Sequence, residues 1–133
     1  MRRCLAALEH ALGELERSDP DHIGYDVFRA ACVKEFELVL EQSGKLLRKR
    51  LAPYFASHRQ VDRLVFKDLF RQAARHGLIT PEACERWLEY RDVRNETAHD
   101  HGEVLAESTL ELLPSFVADA SALADMIEGS TGD

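Results

Sequence analysis

The sequence lacks the features that mark several common classes of protein. Its 133 residues include only three cysteines, four prolines and one tryptophan. The cysteines are odd in number, form no Cys-x-x-Cys pair and lie in helix-like segments, so we expect buried thiols rather than disulfides or metal ligands. No apolar run approaches the length of a membrane span. We therefore expect a cytoplasmic protein that makes no contact with a membrane.

Two signatures of nucleotide-transferring enzymes are also missing. The sequence has no glycine-rich phosphate loop and no paired carboxylates of a nucleotidyltransferase. The chain itself should not transfer nucleotides, and we expect no cofactor and no bound metal.

The charge balance argues against a general nucleic-acid binder. The chain has 17 basic and 24 acidic residues, a formal net charge of -7, whereas such binders are normally basic. Any contact with RNA must be local, or must be helped by a partner or by dimerisation. The hydrophobic share of 45% is ordinary for a soluble protein of one domain.

Apolar residues recur at spacings of three and four, and no strand-like alternation is visible. This pattern predicts an all-α, up-and-down antiparallel bundle of about five helices. We expect one domain over residues 1–128 and a frayed tail over 129–133. The predicted helices cover about residues 2–17, 25–51, 62–75, 81–99 and 103–127, with a loop at about 52–61.

Proline and glycine predict where these helices begin, end or bend. Pro53 should end the second helix, because proline cannot continue the hydrogen-bond ladder. Gly77 should stop the third, and Thr80-Pro81 reads as an N-cap followed by the first helical residue. Pro114 lies inside the last helix and predicts a kink there. The residues expected to face inward include Phe28, Cys32, Phe36, Val39, Leu40, Ser43, Leu46 and Leu47 in the second helix, and Leu64, Val65, Leu69 and Ala73 in the third.

The richest polar stretch is Arg91-Asp92-Val93-Arg94-Asn95-Glu96-Thr97-Ala98-His99. At about 100° per residue, Arg91 and Asn95 are neighbours on one helix face, His99 follows one turn later and Arg94 lies beside them. Arginine binds phosphate through a fixed fork of donors, and histidine moves a proton near neutral pH. The stretch therefore indicates phosphate chemistry; the alternative is a solvated face in which Glu96 pairs with a nearby arginine.

Other polar groups leave alternatives open. His99-Asp100-His101 has too few ligands for a convincing metal site. Trp87 is either a core residue or a dimer-interface anchor. Two charged sets on the second helix are either ordinary surface or functional. Glu35, Glu37 and Glu41 are solvated or supply an acid near the motif, whereas Lys45, Arg48, Lys49 and Arg50 complement the helix dipole or follow an RNA backbone.

Four segments together resemble one known family. They are Arg94-Asn95-Glu96-Thr97-Ala98-His99, the stretch from Lys34 to Glu41, the stretch from Ala74 to Ile79, and Trp87-Leu88-Glu89-Tyr90-Arg91. In this combination the chain resembles the HEPN superfamily of small helical domains. It is most similar to the branch encoded beside minimal nucleotidyltransferases, over about residues 28–123.

The resemblance implies a metal-independent endoribonuclease, the toxin of a toxin–antitoxin pair whose antitoxin is a minimal nucleotidyltransferase. It implies that His99 acts as base or acid, that Arg94 stabilises charge on the phosphate, and that Asn95 orients one of them. The superfamily forms this site between two copies of the chain, so a homodimer is expected. Arg91 is a further candidate for binding the RNA phosphate.

One position departs from that branch. A tyrosine often lies two residues after the histidine, where the partner is thought to attach AMP, but this chain has His101 there. His101 then either joins phosphate binding or is a solvated turn residue. Two other functions remain open: a non-catalytic nucleotide- or substrate-binding subunit of a two-component nucleotidyltransferase, and a helical interaction module with a degenerate motif.

Overall fold

The protein is all-α, as the sequence predicts. The computed structural model describes residues 1–99 and 103–129, although not the side chains of 97–99 and 103–105, and within those ranges it has no strand. The helices are α1 (Arg2–Glu16), α2 (Ile23–Leu51), α3 (His58–Asp62), α4 (Phe66–Arg75), α5 (Pro81–His99) and α6 (Glu103–Gly129), with a 3₁₀ turn at Ala52–Tyr54. Residues 130–133, most of the predicted tail, lie outside the described residues.

No helix in the described part of the chain combines the length and the apolarity needed to cross a membrane.

The region between α2 and α4 is more ordered than the predicted loop. Ser57 caps α3 by accepting a hydrogen bond from the Gln60 backbone N–H at 3.4 Å, and Val61 is buried. Arg48 Nη1 donates to the Val61 carbonyl at 2.6 Å, which ties α3 to α2. Helix α4 starts only at Phe66, so the inward position predicted for Val65 is wrong. Val65 is the extended N-cap residue of α4 and is 63% exposed.

Helix α2 is central to the bundle because it contacts every other helix. It ends at Leu51, two residues before Pro53, as predicted. The predicted inner stripe is largely confirmed, although Phe28 and Leu46 are only partly buried. The stripe residues that are fully buried are Cys32, Phe36, Val39, Leu40, Ser43 and Leu47.

An aromatic cluster fixes α5 against its neighbours. Trp87 is 1% exposed, so it is a core residue, as one of the two alternatives held. Its ring stacks on Phe70 with centroids 4.6 Å apart and meets Phe116 of α6 edge-on at 5.6 Å. Phe116 in turn packs edge-on against Phe36 at 4.7 Å, so α2, α4, α5 and α6 share one core.

A buried polar contact fixes the register of α5 on α6. The Tyr90 hydroxyl donates to Asp119 Oδ2 at 2.5 Å, and Arg86 donates to both oxygens of the same carboxylate at 2.8 Å. Burial, together with the hydrogen bond to Asp119, raises the pKa of Tyr90 well above its ordinary value. Pro114 lies within α6, and the kink expected there stays a prediction.

Candidate functional site

A polar cavity of about 330 Å³ lies between α2 and the C-terminal half of α5. We call it the α2–α5 cavity. Three cationic and two anionic side chains line it, so its walls carry an excess of one positive charge. The lining residues are Lys34, Glu37, Leu38, Glu41, Arg91 and Arg94.

Arg94 is held at this cavity by a carboxylate of α2. Its Nε lies 3.9 Å from Glu37 Oε1, and the side chains are 30% and 18% exposed, respectively. A pair at this distance is weak in stability terms. Its effect is to place a guanidinium, which can bind phosphate oxygens in a fixed geometry, in the wall of a cavity that faces solvent.

Arg91 is positioned by packing instead. Its guanidinium carbon lies 5.1 Å from the centre of the Phe66 ring, a cation–π distance. Phe66 itself packs on Gly44 of α2, where an added Cβ would come within 3.0 Å of Phe66 Cδ2. The lack of a side chain at Gly44 thus lets Phe66 approach α2 and support Arg91. In the sequence, a glycine inside a long helix indicated such a close approach, but sequence analysis missed the role of this glycine.

The structure brings only part of the predicted motif into the cavity. Arg91 and Arg94, three residues apart, both line it, whereas Asn95 is exposed and does not. His99 is the last residue of α5, but its side chain lies outside the described part of the structure, as does all of His101. Of the described members of the predicted site, Arg91 and Arg94 line the cavity and Asn95 does not.

Two of the three glutamates named from the sequence are in the cavity wall. Glu37 and Glu41 line it and Glu35 does not. Glu37, the carboxylate beside Arg94, belongs to a helix more than fifty residues earlier in the chain.

A second polar cluster, which sequence analysis missed, links the starts of α2 and α6. The Tyr25 hydroxyl donates to Glu107 Oε1 at 2.9 Å, and Arg29 Nη1 lies 3.3 Å from the same oxygen. The hydrogen bond to Glu107 raises the pKa of Tyr25. Because Glu107 lies in the second turn of α6, the cluster anchors the helix that follows the motif.

Most of the basic cluster at the end of α2 lines a different cavity. This cavity has a volume of about 730 Å³, and its wall includes Lys45, Arg48 and Lys49. Arg50 instead lies over Tyr54, with its guanidinium carbon 5.6 Å from the ring centre. We call this space the α2–α3 cavity.

The described residues offer no group of three or more His, Cys, Asp or Glu side chains that could hold a metal ion. Cys32 and Cys84 are buried, as predicted, and Cys4 is half-buried. Burial raises the pKa of the Cys32 thiol to about 11, so this thiol stays protonated and unreactive near neutral pH.

Comparisons with known proteins agree with the resemblance read from the motif. A family model described as nucleotidyltransferase substrate binding protein like matches residues 1–128. A "Probable ribonuclease HepT" of Haemophilus influenzae is 29% identical over 102 residues, which are 77% of this chain and 68% of that protein. A solved Haemophilus influenzae structure, described as the fold of a substrate binding domain of a nucleotidyltransferase, matches with a TM-score of 0.72 and 27% identity. The match covers 93% of this chain and 98% of that one.

Proposed function

This chain belongs to the nucleotidyltransferase substrate binding protein like family, and from that premise we propose that it is a metal-independent endoribonuclease. In this proposal it is the toxin partner of a minimal nucleotidyltransferase antitoxin. The observation that carries the proposal is Arg94 held beside Glu37 in the α2–α5 cavity, on the helix that ends at His99. The similarity to a "Probable ribonuclease HepT" supports the same reading.

The proposed reaction needs only side chains and the RNA itself. A base removes the proton of a 2′-OH, whose oxygen attacks the adjacent phosphorus, and the bond to the 5′-oxygen breaks. An acid returns a proton to the leaving 5′-oxygen, so the products are a 2′,3′-cyclic phosphate and a 5′-hydroxyl. His99 is proposed as base or acid.

Arg94 and its neighbours have separate roles in this reaction. Arg94 binds the phosphoryl oxygens as negative charge grows on them, and Asn95 is proposed to orient His99 or the phosphate. Arg91, supported by Phe66, binds a phosphate near the cleaved bond, and His101 is proposed to assist it. Glu37 acts as a positioning residue, because its carboxylate lies beside Arg94.

We further propose that the active form is a homodimer. One copy has a net charge of -7, and its α2–α5 cavity offers one excess positive charge. Two such cavities facing one cleft double the local positive charge available to RNA. Light scattering at micromolar concentration should give about twice the 15.1 kDa chain mass. A strict monomer would rule out a site shared between copies.

The decisive experiment measures RNA cleavage by purified wild type, by two single variants and by the double variant. His99→Ala should lower the rate by about 10²–10⁴-fold, as loss of a general acid or base does. Arg94→Ala should lower it by roughly 10²–10³-fold, as loss of an electrostatic stabiliser does. The double variant should be little worse than either single one, because the two groups serve one step.

Two controls make the result interpretable. Arg75→Ala removes an exposed arginine that lines neither cavity and should leave cleavage unchanged. Cleavage should also survive EDTA. Activity that is lost with the chelator and restored by a divalent ion would count against the mechanism and revive a metal site at His99 and His101.

The second candidate is a non-catalytic subunit that binds the nucleotide or the substrate of a partner nucleotidyltransferase. The description of the Haemophilus influenzae structure as a substrate binding domain favours it. Under this alternative, wild type cuts no RNA, and Arg94→Ala weakens binding of a nucleotide or of the partner enzyme instead.

A further inference from the structure

The α2–α3 cavity lies at the C-terminal end of α2, apart from the proposed cleavage site. Its cationic lining residues are Lys45, Arg48 and Lys49, and His58 adds an imidazole. Asp62 is a carboxylate in the same wall. The balance of charged groups therefore favours an anionic ligand.

The surrounding sequence has the same bias. Residues 42–61 contain five of the 17 lysines and arginines of the chain and none of its 24 acidic residues. In a protein with a net charge of -7 this is the reverse of the overall composition. Helix-dipole complementarity accounts for cations in the last turn of α2, but not for the absence of carboxylates over twenty residues that continue into α3 as far as Val61.

The cationic side chains of this cavity differ in how strongly they already interact with neighbouring groups. Arg48 is tied to the Val61 carbonyl at 2.6 Å. Lys45 Nζ lies 3.3 Å from Glu41 in an exposed pair, which is weak and readily exchanged. Lys49 is exposed, and its side chain makes no ion pair or hydrogen bond within the described residues. Lys49 and Lys45 are therefore available to a phosphate.

The rest of the wall suits a nucleotide better than a bare anion. Leu46, Ala52 and Val61 supply an apolar surface against which a base can pack. Gln42 Oε1 is buried and accepts no hydrogen bond from the described residues. A phosphate cannot donate to it, whereas a ribose 2′-OH or a base N–H can.

The two cavities lie along one face of α2. At about 100° per residue, Lys34, Glu41, Lys45 and Arg48 fall within about 60° of one another. Glu41 lines the α2–α5 cavity and pairs with Lys45, which lines the α2–α3 cavity. From Glu37 to Lys49 the helix rises about 18 Å at about 1.5 Å per residue. That distance corresponds to about five nucleotides or fewer, since phosphates of one strand follow at about 3.4 Å or more.

We infer that the α2–α3 cavity binds a nucleotide of single-stranded RNA that lies a few nucleotides away from the cleaved bond. Lys49 and Lys45 hold the phosphate of that nucleotide. The inference rests on the proposed function for the identity of the ligand. It gives that function a second anchoring point, which sets where along the RNA the chain is held.

The test compares RNA binding by charge variants in the His99→Ala background, in which the RNA stays intact. The probe is a labelled single-stranded RNA of about ten nucleotides, long enough to reach both cavities. Lys49→Gln and Lys45→Gln should each weaken binding several-fold. Each should also reduce the dependence of log K on log salt by about 0.7, as expected for one lost phosphate contact on a single strand. AMP, which can occupy only one of the two cavities, should bind much more weakly than the RNA.

Arg75→Gln is the matched control, because it removes one exposed positive charge in the last turn of α4, outside both cavities. An unchanged salt dependence in Lys49→Gln, or an equal loss in Arg75→Gln, would overturn the inference. So would AMP that binds as tightly as the RNA, which would assign the cavity to a mononucleotide.

Cleavage by wild type is measured in parallel and separates the two proposals. If wild type cuts RNA while the lysine variants bind normally, the anchoring point is wrong and the proposed function stands. If the lysines govern RNA binding but nothing is cut, the anchoring point stands and the ribonuclease proposal falls. An RNA that binds to neither cavity contradicts both.

Discussion

The two halves of α5 have different roles, although they form one continuous helix. In the N-terminal half, from Pro81 to Tyr90, the large side chains Trp87 and Tyr90 are each only 1% exposed. In the C-terminal half, Arg91 and Arg94 are partly exposed and line a polar cavity. The apolar half fixes the position of the helix, so the polar half can present charged groups at defined distances without contributing much to stability.

The comparison shows why the polar half can be so unlike an ordinary bundle surface. Burying the aromatic side chains supplies the free energy that holds α5 in place. The local supports of the arginines include Glu37 at 3.9 Å from Arg94 and the Phe66 ring beneath Arg91. Stability and the proposed chemistry are thus separated along one helix, and four measurements test that separation.

The largest effect is expected from Trp87→Ala. It should lower the free energy of unfolding by about 3–5 kcal/mol, because a fully buried indole leaves a cavity behind. Arg94→Ala should change it by less than about 1 kcal/mol, since its pair with Glu37 at 3.9 Å is weak. Urea unfolding followed by far-UV circular dichroism measures both. Equal losses from the two changes would show that the halves are not separated.

Tyr90→Phe is expected to have the next largest effect. It removes the hydroxyl that donates to Asp119 at 2.5 Å, and hydrogen bonds to charged groups contribute about 1.5–3 kcal/mol. Tyr25→Phe is a matched control, since its hydroxyl donates to Glu107, whose side chain is 46% exposed. The control should cost less than about 1 kcal/mol. If Tyr25→Phe lowered the free energy of unfolding more than Tyr90→Phe does, the contact with Asp119 would not be what fixes the register of α5 on α6.

The same tyrosine predicts a loss of stability in alkali. The pKa of Tyr90 is raised by burial and by Asp119, and burial raises that of Cys32 to about 11. A group with a raised folded-state pKa contributes stability below its unfolded pKa and loses it as the pH rises toward the folded value. The free energy of unfolding should therefore fall above about pH 9, by at most about 1.4 kcal/mol per pH unit for each group. Tyr90→Phe should flatten the part of this slope that begins near pH 10.

The smallest effect is expected in the polar half. Arg91→Met keeps the side-chain stem but loses the cation over Phe66, so it should cost about 0.5–1 kcal/mol. Arg91→Lys, which keeps the charge, should cost less. Urea midpoints of the two variants measured side by side distinguish them, and a loss from Arg91→Met as large as that from Trp87→Ala would make Arg91 a core residue.

The helices could be predicted because their signals are local. Thr80 caps α5 as expected, accepting from the Ala83 backbone N–H at 3.0 Å, and Gly77 has the positive φ of 72° that suits a helix stop. Helix α3 was missed because its five residues are too short for an apolar period. Its stabilising contacts are the Ser57 cap and the Arg48 bond to Val61.

The candidate site could be predicted only in part. The spacing of Arg91 and Arg94 is visible in the sequence, and so is the chemistry of an arginine near a histidine. The partners that shape the site come from elsewhere in the chain: Glu37 from α2 and Phe66 from α4. Such pairings depend on how the helices pack, and no local period encodes them. The roles of His99, Asn95 and His101 stay predictions.

The burial of Trp87 also gives the protein an internal optical probe. It is the only tryptophan of the chain, and its indole is shielded from water by Phe70, stacked at 4.6 Å. It lies about two helical turns before Arg94 on the same helix. A ligand that enters a preformed cavity should leave the emission spectrum unchanged, whereas one that moves α5 against α4 should shift it. Fluorescence of the unlabelled protein therefore distinguishes binding from rearrangement.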